Sequence, residues 1–216
     1  LALFLACLSL ANARPGPDSN YNVNVVSGGG GSTTTFNPSD LANITLSNGN
    51  LTATGNSGSD GSVRAVANHS TGKYFYEVTS NTSASSDSSA GMANGSTNLS
   101  TAPASALLIG TVYISGNIYV NNSNIANIGA VVATDVIGIA VDVGGQLLWI
   151  RRNAGNWNNN GSADPATGVG GTSLAALAGS NFYPWVSAGG GSSPQWTANF
   201  GATAYAHAAP SGFGNW

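Results

Sequence analysis

Residue types that could carry chemistry are few in this chain. Of its eight acidic residues, Glu77 in "KYFYEV" is the only glutamate, and there are two histidines, His69 and His207, and one cysteine, Cys7. Nucleophilic catalysis needs a Ser or Cys held by a base. No Gly-x-Ser-x-Gly elbow occurs, His69 sits in a turn signal, and His207 lies in "AYAHAAP" near the C-terminal end, so both histidines read as solvated surface. Glycoside hydrolysis asks for two carboxylates about 5 to 10 Å apart. The candidates are Glu77, Asp87, Asp135, Asp142 and Asp164, and no Glu-x-Asp-x-Glu pattern sets two of them on one strand face. Asp135 and Asp142 bracket one strand, seven residues apart, and are distant if it is extended. Asp142 precedes Gly144-Gly145 and reads as a turn former. No metal pattern is present, neither a cysteine cluster, nor paired histidines, nor an Asp-x-Asp-x-Asp-Gly loop. A loop calcium held by Asp60 or Asp164 with backbone carbonyls stays open. The glycine runs at 28–31 and 189–191 lack the lysine of a phosphate loop and read as flexible, and no cofactor is called for.

Only 6% of the 216 residues are charged, and five basic against eight acidic groups leave a net charge of −3. Nucleic-acid binding rests on neutralising phosphates, and five scattered cations form no basic track. Solubility falls to Asn, Ser, Thr and Gly. Several Asn-x-Ser/Thr triplets occur, including those that begin at Asn43, Asn68, Asn81, Asn94 and Asn98, as chance gives in a chain so rich in these residues.

From Thr35 onward, short apolar runs rich in β-branched and aromatic residues alternate with turn signals about every eight to twelve residues, the spacing of a sandwich or barrel. "NITLS" and "NLTAT" flank Asn48-Gly49, a strong hairpin signal. "TVYIS" and "NIYVN" flank Gly116-Asn117, and "DVIGIAVDV" and "QLLWIRR" flank Gly144-Gly145. "FYPWVSA" and "QWTANFG" flank a glycine-rich stretch at 188–195. Only "TSLAALAG" offers a helical turn or two. The expected class is all-β with antiparallel hairpins.

Within this frame "SVRAVAN" and "KYFYEV" read as a hairpin closed by His69–Gly72, with Arg64 opposite Glu77 as a register-fixing ion pair. In the second strand Tyr74, Tyr76 and Val78 share one face, while Phe75 shares the other with Lys73 and Glu77. Apolar bulk on both faces implies a strand inside layers, where tyrosine hydroxyls must find partners. Glu77 reads as structural, since a catalytic glutamate needs a second acid–base group nearby.

These stretches carry a resemblance to the SPRY domain family, in its bacterial and phage-associated form. "STGKYFYEV" is similar to the family's Gly-x-aromatic-aromatic-Glu-Val strand, with Phe75-Tyr76-Glu77-Val78 on its Trp-Glu-Val-Glu motif. In "DVIGIAVDVGGQLLWIRRNAGNW", Val141-Asp142-Val143-Gly144 falls on the Leu-Asp-Tyr-Glu motif. "NFYPWVSAGGGSSPQWTANFG" resembles the closing Tyr-Pro-x-Val-Ser and Asn-Phe-Gly signatures, and "FNPSDLANITLSNGN" the segment that often precedes the domain. The likeness runs over about residues 35 to 213. Two departures stand out. Phe75 and Tyr76 replace the usual tryptophan neighbourhood, and no acidic residue follows Asp142 at Val143-Gly144-Gly145. The resemblance implies a bent antiparallel β-sandwich of jelly-roll architecture and a binding role, commonly for protein partners, through loops at one edge.

Binding residues are sought among loop aromatics and arginines. Arg151, Arg152 and Asn153 lead into "NAGNWNNNG", where Trp157 either folds back onto the sandwich or waits for a ligand. Arg64, Tyr74, Phe75, Tyr76, Glu77, Asp142, Trp149 and Phe200 read as structural, and Trp185 and Trp196 as core. The polar stretches 79–90 and 93–105 are further binding candidates. At the front, "LALFLACLSLANA" (residues 1–13) fits the apolar part of a truncated secretory signal ending at Ala11-Asn12-Ala13, with a lipid anchor through Cys7 or a plain apolar element as alternatives. It is too short to span a bilayer, so no transmembrane segment is expected. Residues 14–34 read as a Gly/Ser/Thr-rich linker and 35–216 as the domain. The expected function is exported, non-enzymatic recognition of a protein or glycan. The alternatives are a structural part of a phage tail or surface assembly, and a carbohydrate-active enzyme of sandwich fold.

Overall fold

The computed structural model describes residues 34–82, 87–106, 109–177, 179, 181–190 and 193–216. The signal-like run at 1–13, the linker up to residue 33 and residues 83–86 of the first polar loop lie outside the described residues. In chain order the strands are β1 (Phe36–Ala42), β2 (Ile44–Ser47), β3 (Thr52–Gly55), β4 (Ser62–Ala65), β5 (Lys73–Ser80), β6 (Ser88–Asn94), β7 (Ile109–Tyr113), β8 (Asn117–Val120), β9 (Ser123–Asn127), β10 (Val136–Asp142), β11 (Leu147–Arg152), β12 (Thr172–Ser173), β13 (Phe182–Ala188), β14 (Gln195–Asn199) and β15 (Gly214–Asn215). Among the described residues helix is confined to three short 3-10 turns, at Pro103–Ser105, Trp157–Asn159 and Ala175–Leu177.

The strands form two sheets, ordered β1-β4-β13-β6-β7-β8-β9 and β12-β11-β10-β5-β14-β3-β2. Every pairing is antiparallel except that of β15, which runs parallel to the start of β5 while β14 covers its end. Three expected hairpins are present, β2–β3, β7–β8 and β10–β11. The turn of the first uses Asn48, Gly49 and Asn50 at φ of 53°, 63° and 64°, a left-handed path that Asn and Gly adopt at least cost. The strands around the glycine-rich stretch do not pair. β13 lies in the first sheet and β14 in the second, so the two strands belong to opposite layers of the sandwich.

The expected hairpin of "SVRAVAN" with "KYFYEV" is corrected in the same way. β4 pairs β1 and β13 in one sheet, and β5 pairs β10 and β14 in the other, so Arg64 and Glu77 are not partners. The His69–Gly72 stretch is part of a crossover between sheets, pinned where His69 and Phe182 exchange backbone hydrogen bonds of 3.1 and 3.0 Å. Arg64 instead holds Asp40 with two hydrogen bonds of 2.7 and 2.8 Å and donates to the carbonyls of Asn94 and Gly95 at 2.9 and 2.6 Å. Nearly buried, it staples β4 to β1 and to the loop after β6.

Between the sheets lies the main core. Tyr76 and Val78 of β5, Ile137, Ile139 and Val141 of β10, Met92, Val112 and Val186 from the opposite sheet, and Trp196 and Phe200 all contribute. As alternation requires, β5 turns Tyr76 and Val78 inward and Phe75 into a second apolar cluster with Trp149 and Trp157. In this cluster Tyr76 and Trp196 find partners for their polar atoms. The Tyr76 hydroxyl donates to the Gly91 carbonyl, and Trp196 Nε1 donates to Ser88 Oγ at 2.8 Å and to the Ser187 carbonyl at 3.0 Å. Burial raises the Tyr76 pKa well above that of a free phenol. Gly91 is needed for close approach, because a Cβ there would stand 2.1 Å from the Gly110 carbonyl oxygen. A third cluster, Ala93, Ala106, Ile109 and Trp185, covers the outer side of the first sheet beneath the chain around Leu99.

Candidate functional site

Most of the chemistry-bearing residues converge on the outer face of the second sheet. The register places Gly138 of β10 between Arg151 of β11 and Glu77 of β5, and Ala140 between Trp149 and Phe75. Two large side chains therefore flank a small one in each row. A Cβ on Gly138 would meet both Arg151 Nε and Phe75 at 3.2 Å, so the glycine makes room for the groups beside it. Two segments cover this face, the loop of residues 153–171 and the C-terminal stretch 201–213, while Phe200 before it and Trp216 after it pack in the core between the sheets.

Glu77 fastens the second of these. Only 3% exposed, it accepts the Ala206 N–H at Oε2 (2.7 Å) and the His207 N–H at Oε1 (2.9 Å). Two backbone donors on an ionised carboxylate make charge-assisted bonds, stronger than neutral ones. Arg151 reinforces the closure by donating to the Ala208 carbonyl at 2.7 Å, with its guanidinium 4.2 Å from the centre of the Trp157 ring. Burial lowers the Arg151 pKa, and the negative charge of Glu77 works in the opposite direction. Tyr205 donates to the Phe75 carbonyl at 2.9 Å and sits edge-on to the Phe75 ring, with centroids 4.7 Å apart. Its hydroxyl pKa is raised, by burial first and by Glu77 second.

The imidazole of His207 completes the cluster, with Nδ1 3.5 Å from Glu77 Oε1. The sequence gives no hint of this neighbour, because 130 residues separate the two. The expectation that Glu77 lacks an acid–base group nearby is thus corrected, as is the reading of both histidines as solvated surface. His207 is partly covered, and His69 stacks on Tyr74 with centroids 3.7 Å apart and meets the Trp216 ring edge-on at 4.9 Å. Burial lowers the His69 pKa.

The four candidate binding residues split into two pairs. Trp157 takes the first of its two alternatives and folds back, 9% exposed and edge-on to Phe75, under the Arg151 guanidinium. Arg152 and Asn153 gather instead around Asp135. Asn153 donates to Asp135 Oδ1 at 2.7 Å and accepts the Val136 N–H at 2.9 Å, while Arg152 lies 3.7 Å from Asp135 Oδ2 and donates to the Ala130 carbonyl. Asp142 closes its turn by accepting the Gly145 N–H at 2.7 Å and faces Lys73 at 3.6 Å. Trp149 is fully buried with Nε1 bonded to the Val169 carbonyl at 2.9 Å, and Phe200 packs against Phe36 and Tyr76, each with centroids 5.6 Å away. Among the described residues no three His, Cys, Asp or Glu side chains come together, and no helix is long and apolar enough to cross a membrane.

Sequence reasoning missed the open space beside this cluster. The C-terminal stretch curls into a cleft of about 470 Å³, lined by residues 201–205, Ala209 and residues 213–215. Its aromatic walls are Tyr205, backed by Phe75, and Phe213, whose ring stands edge-on to Trp149 at 6.2 Å. Asn215 donates to the Gly201 carbonyl (3.2 Å), and its Oδ1 lies 3.1 Å from the Tyr205 hydroxyl, whose single proton it shares with the Phe75 carbonyl. The available signal was the run "FGATAYAHAAPSGFGNW", whose small residues alternate with spaced aromatics after the last long strand.

No family model matches this sequence, and a search of curated proteins finds no match. Solved structures do match. The SPRY domain of human HERC1 superposes with a TM-score of 0.62 at 14% identity, over 76% of this chain and 96% of that one. A human SPRY domain gives 0.56 at 14% identity, over 76% and 98%, and the PSpry domain of TRIM65 gives 0.52 at 10% identity, over 76% and 88%. The chain therefore has the SPRY-type β-sandwich fold that its sequence resembles.

Proposed function

We propose that this chain is a non-enzymatic, exported recognition module that binds a protein or glycan partner through loops on the outer side of the β10–β5 sheet. One observation carries the reading. The sole glutamate uses both carboxylate oxygens to fasten the 206–207 backbone, and an open cleft without charged lining lies beside that fastening. A carboxylate whose two oxygens each accept a backbone N–H ties a distant segment to the sheet, which is a structural task. The fold agrees with a recognition role, which the resemblance to SPRY domains also implies.

The test is an array of surface proteins and glycans probed with the wild-type chain and with Ala204→Trp, which places bulk on an exposed cleft residue. Binding that is weakened by Ala204→Trp, with no turnover of any glycan, supports recognition. Glycan cleavage that disappears in Glu77→Gln overturns it in favour of the carbohydrate-active enzyme.

A further inference from the structure

We infer that the partner's contact group in the C-terminal cleft is an uncharged sugar ring, an inference that rests on the recognition reading above. The volume of about 470 Å³ lies within the range of small-molecule sites, roughly 300 to 1,000 Å³. Its lining combines two aromatic rings, one amide and one threonine hydroxyl with Ala and Gly, and no charged side chain is among them. The cation beside these walls, Lys73 over the Phe213 ring, is already faced by Asp142 at 3.6 Å, so a charged ligand would find no unpaired counter-charge and would lose hydration on entering. A purely apolar ligand would strip water from the amide, the hydroxyl and the strap's backbone groups without replacing its hydrogen bonds. A pyranose ring meets both requirements, since its C–H face packs on an aromatic ring and its hydroxyls bond in the ring plane.

The walls are preset for this. Tyr205 is locked by its hydrogen bonds to the Phe75 carbonyl and Asn215, and Phe213 is backed by Trp149, with Lys73 Nζ 5.7 Å from its ring centre. Asn215 is oriented by its bonds to Tyr205 and Gly201, and each end of an amide can make a second bond. A ring entering here meets fixed donors and acceptors and pays little ordering entropy. The small residues at 201, 202, 204 and 214 let it approach the backbone.

The experiment is a titration of the ¹⁵N-labelled chain, followed by amide shifts, with methyl β-glucoside, methyl β-galactoside, the methyl glycoside of N-acetylglucosamine and their β-linked disaccharides. Glucuronate and glycerol serve as the charged and the ring-free comparisons. The expected result is saturable shifts confined to residues 201–205 and 213–215, tighter for disaccharides, and absent with glycerol. Phe213→Ala and Ala204→Trp should each weaken binding about tenfold or more, the effect of losing about 1.4 kcal/mol. Ala204→Trp adds a side chain at an exposed position, so it reports even if Phe213→Ala unfolds. Sugar binding untouched by either variant overturns the cleft assignment, and equal binding of glucuronate overturns the uncharged class. Absence of sugar shifts, with a protein partner from the array that Ala204→Trp weakens, overturns the sugar and leaves recognition standing. Neither sugar shifts nor any array partner overturns both.

Discussion

Replacing Glu77 with glutamine keeps its shape and removes its charge, which isolates the closure of the C-terminal strap. In the wild type the carboxylate accepts two backbone N–H groups, at 2.7 and 2.9 Å. A glutamine offers one oxygen, and its amide turns a donor toward the other N–H. One charge-assisted bond is lost, about 1.5 to 3 kcal/mol, and the other falls to a neutral one worth about 1 kcal/mol. Water reaching the half-covered strap offsets part of this, which leaves about 2 to 4 kcal/mol. In a chain of this size each kcal/mol moves the melting temperature about 2 to 4 °C. The expected drop in Tm is therefore roughly 5 to 15 °C by calorimetry, with faster hydrogen exchange at the Ala206 and His207 amides. The same variant tests the corrected pairing. Since Arg64 and Glu77 lie in different sheets, Arg64→Ala and Glu77→Gln should add within about 0.5 kcal/mol. An unchanged Tm with unchanged exchange would refute the fastening, and strong coupling to Arg64 would restore the hairpin.

Three further outcomes follow from the same structure. Trp157→Ala should cost about 3 to 5 kcal/mol by urea denaturation, because a ring that is 9% exposed leaves a cavity against Phe75 and strands the Arg151 guanidinium; a change below about 1 kcal/mol would show that the ring packs against nothing. Gly91→Ala should fold poorly or lose several kcal/mol, since its Cβ would overlap the Gly110 carbonyl, and normal expression with wild-type Tm would contradict the close approach of β6 and β7. For His69, burial lowers the folded pKa, so the unfolded chain binds the proton more readily. Its contribution is complete above the unfolded value of about 6.5 and is lost as pH falls below it, until the folded ring also titrates. His69→Phe keeps the stack on Tyr74 and should flatten the decline in Tm between pH 7 and 5.5; an equal decline in both proteins would assign it to other groups.

Local pattern made the strands legible, and long-range pairing was out of its reach. Asn48-Gly49 and Gly116 announce their hairpins because the left-handed turn backbone is written in residues that tolerate it, while at Gly144-Gly145 the signal marks the turn although its left-handed residue is Gln146. Period-two alternation likewise assigned the two faces of "KYFYEV". The same logic joined "SVRAVAN" to "KYFYEV", because a short polar loop between two strands is the signature of a hairpin. It is also the signature of a short crossover between sheets. What separates them is His69 exchanging hydrogen bonds with Phe182, 113 residues later, which no local window contains.

The cation opposite Glu77 shows the same limit and one way past it. Arg64 and Arg151 are equal candidates by type, and proximity in sequence favoured the wrong one. The informative residue was Gly138, a glycine inside "DVIGIAVDV" where β-branched residues would otherwise serve the strand better. A glycine there says that something large lies across the strand, and the register shows Arg151 on one side and Glu77 on the other. A strand glycine is thus a weak but readable mark of a layer built on top of the sheet. Here that layer is the strap 201–213, and it turns a sheet face that would be bare into one with a fixed aromatic cleft. Whatever this chain binds, its affinity should depend on how firmly the strap is fastened, so Glu77→Gln should weaken binding at the cleft more than it weakens the fold. Equal affinity for the first ligand found, measured below the melting point of both proteins, would separate the cleft from the glutamate beneath it.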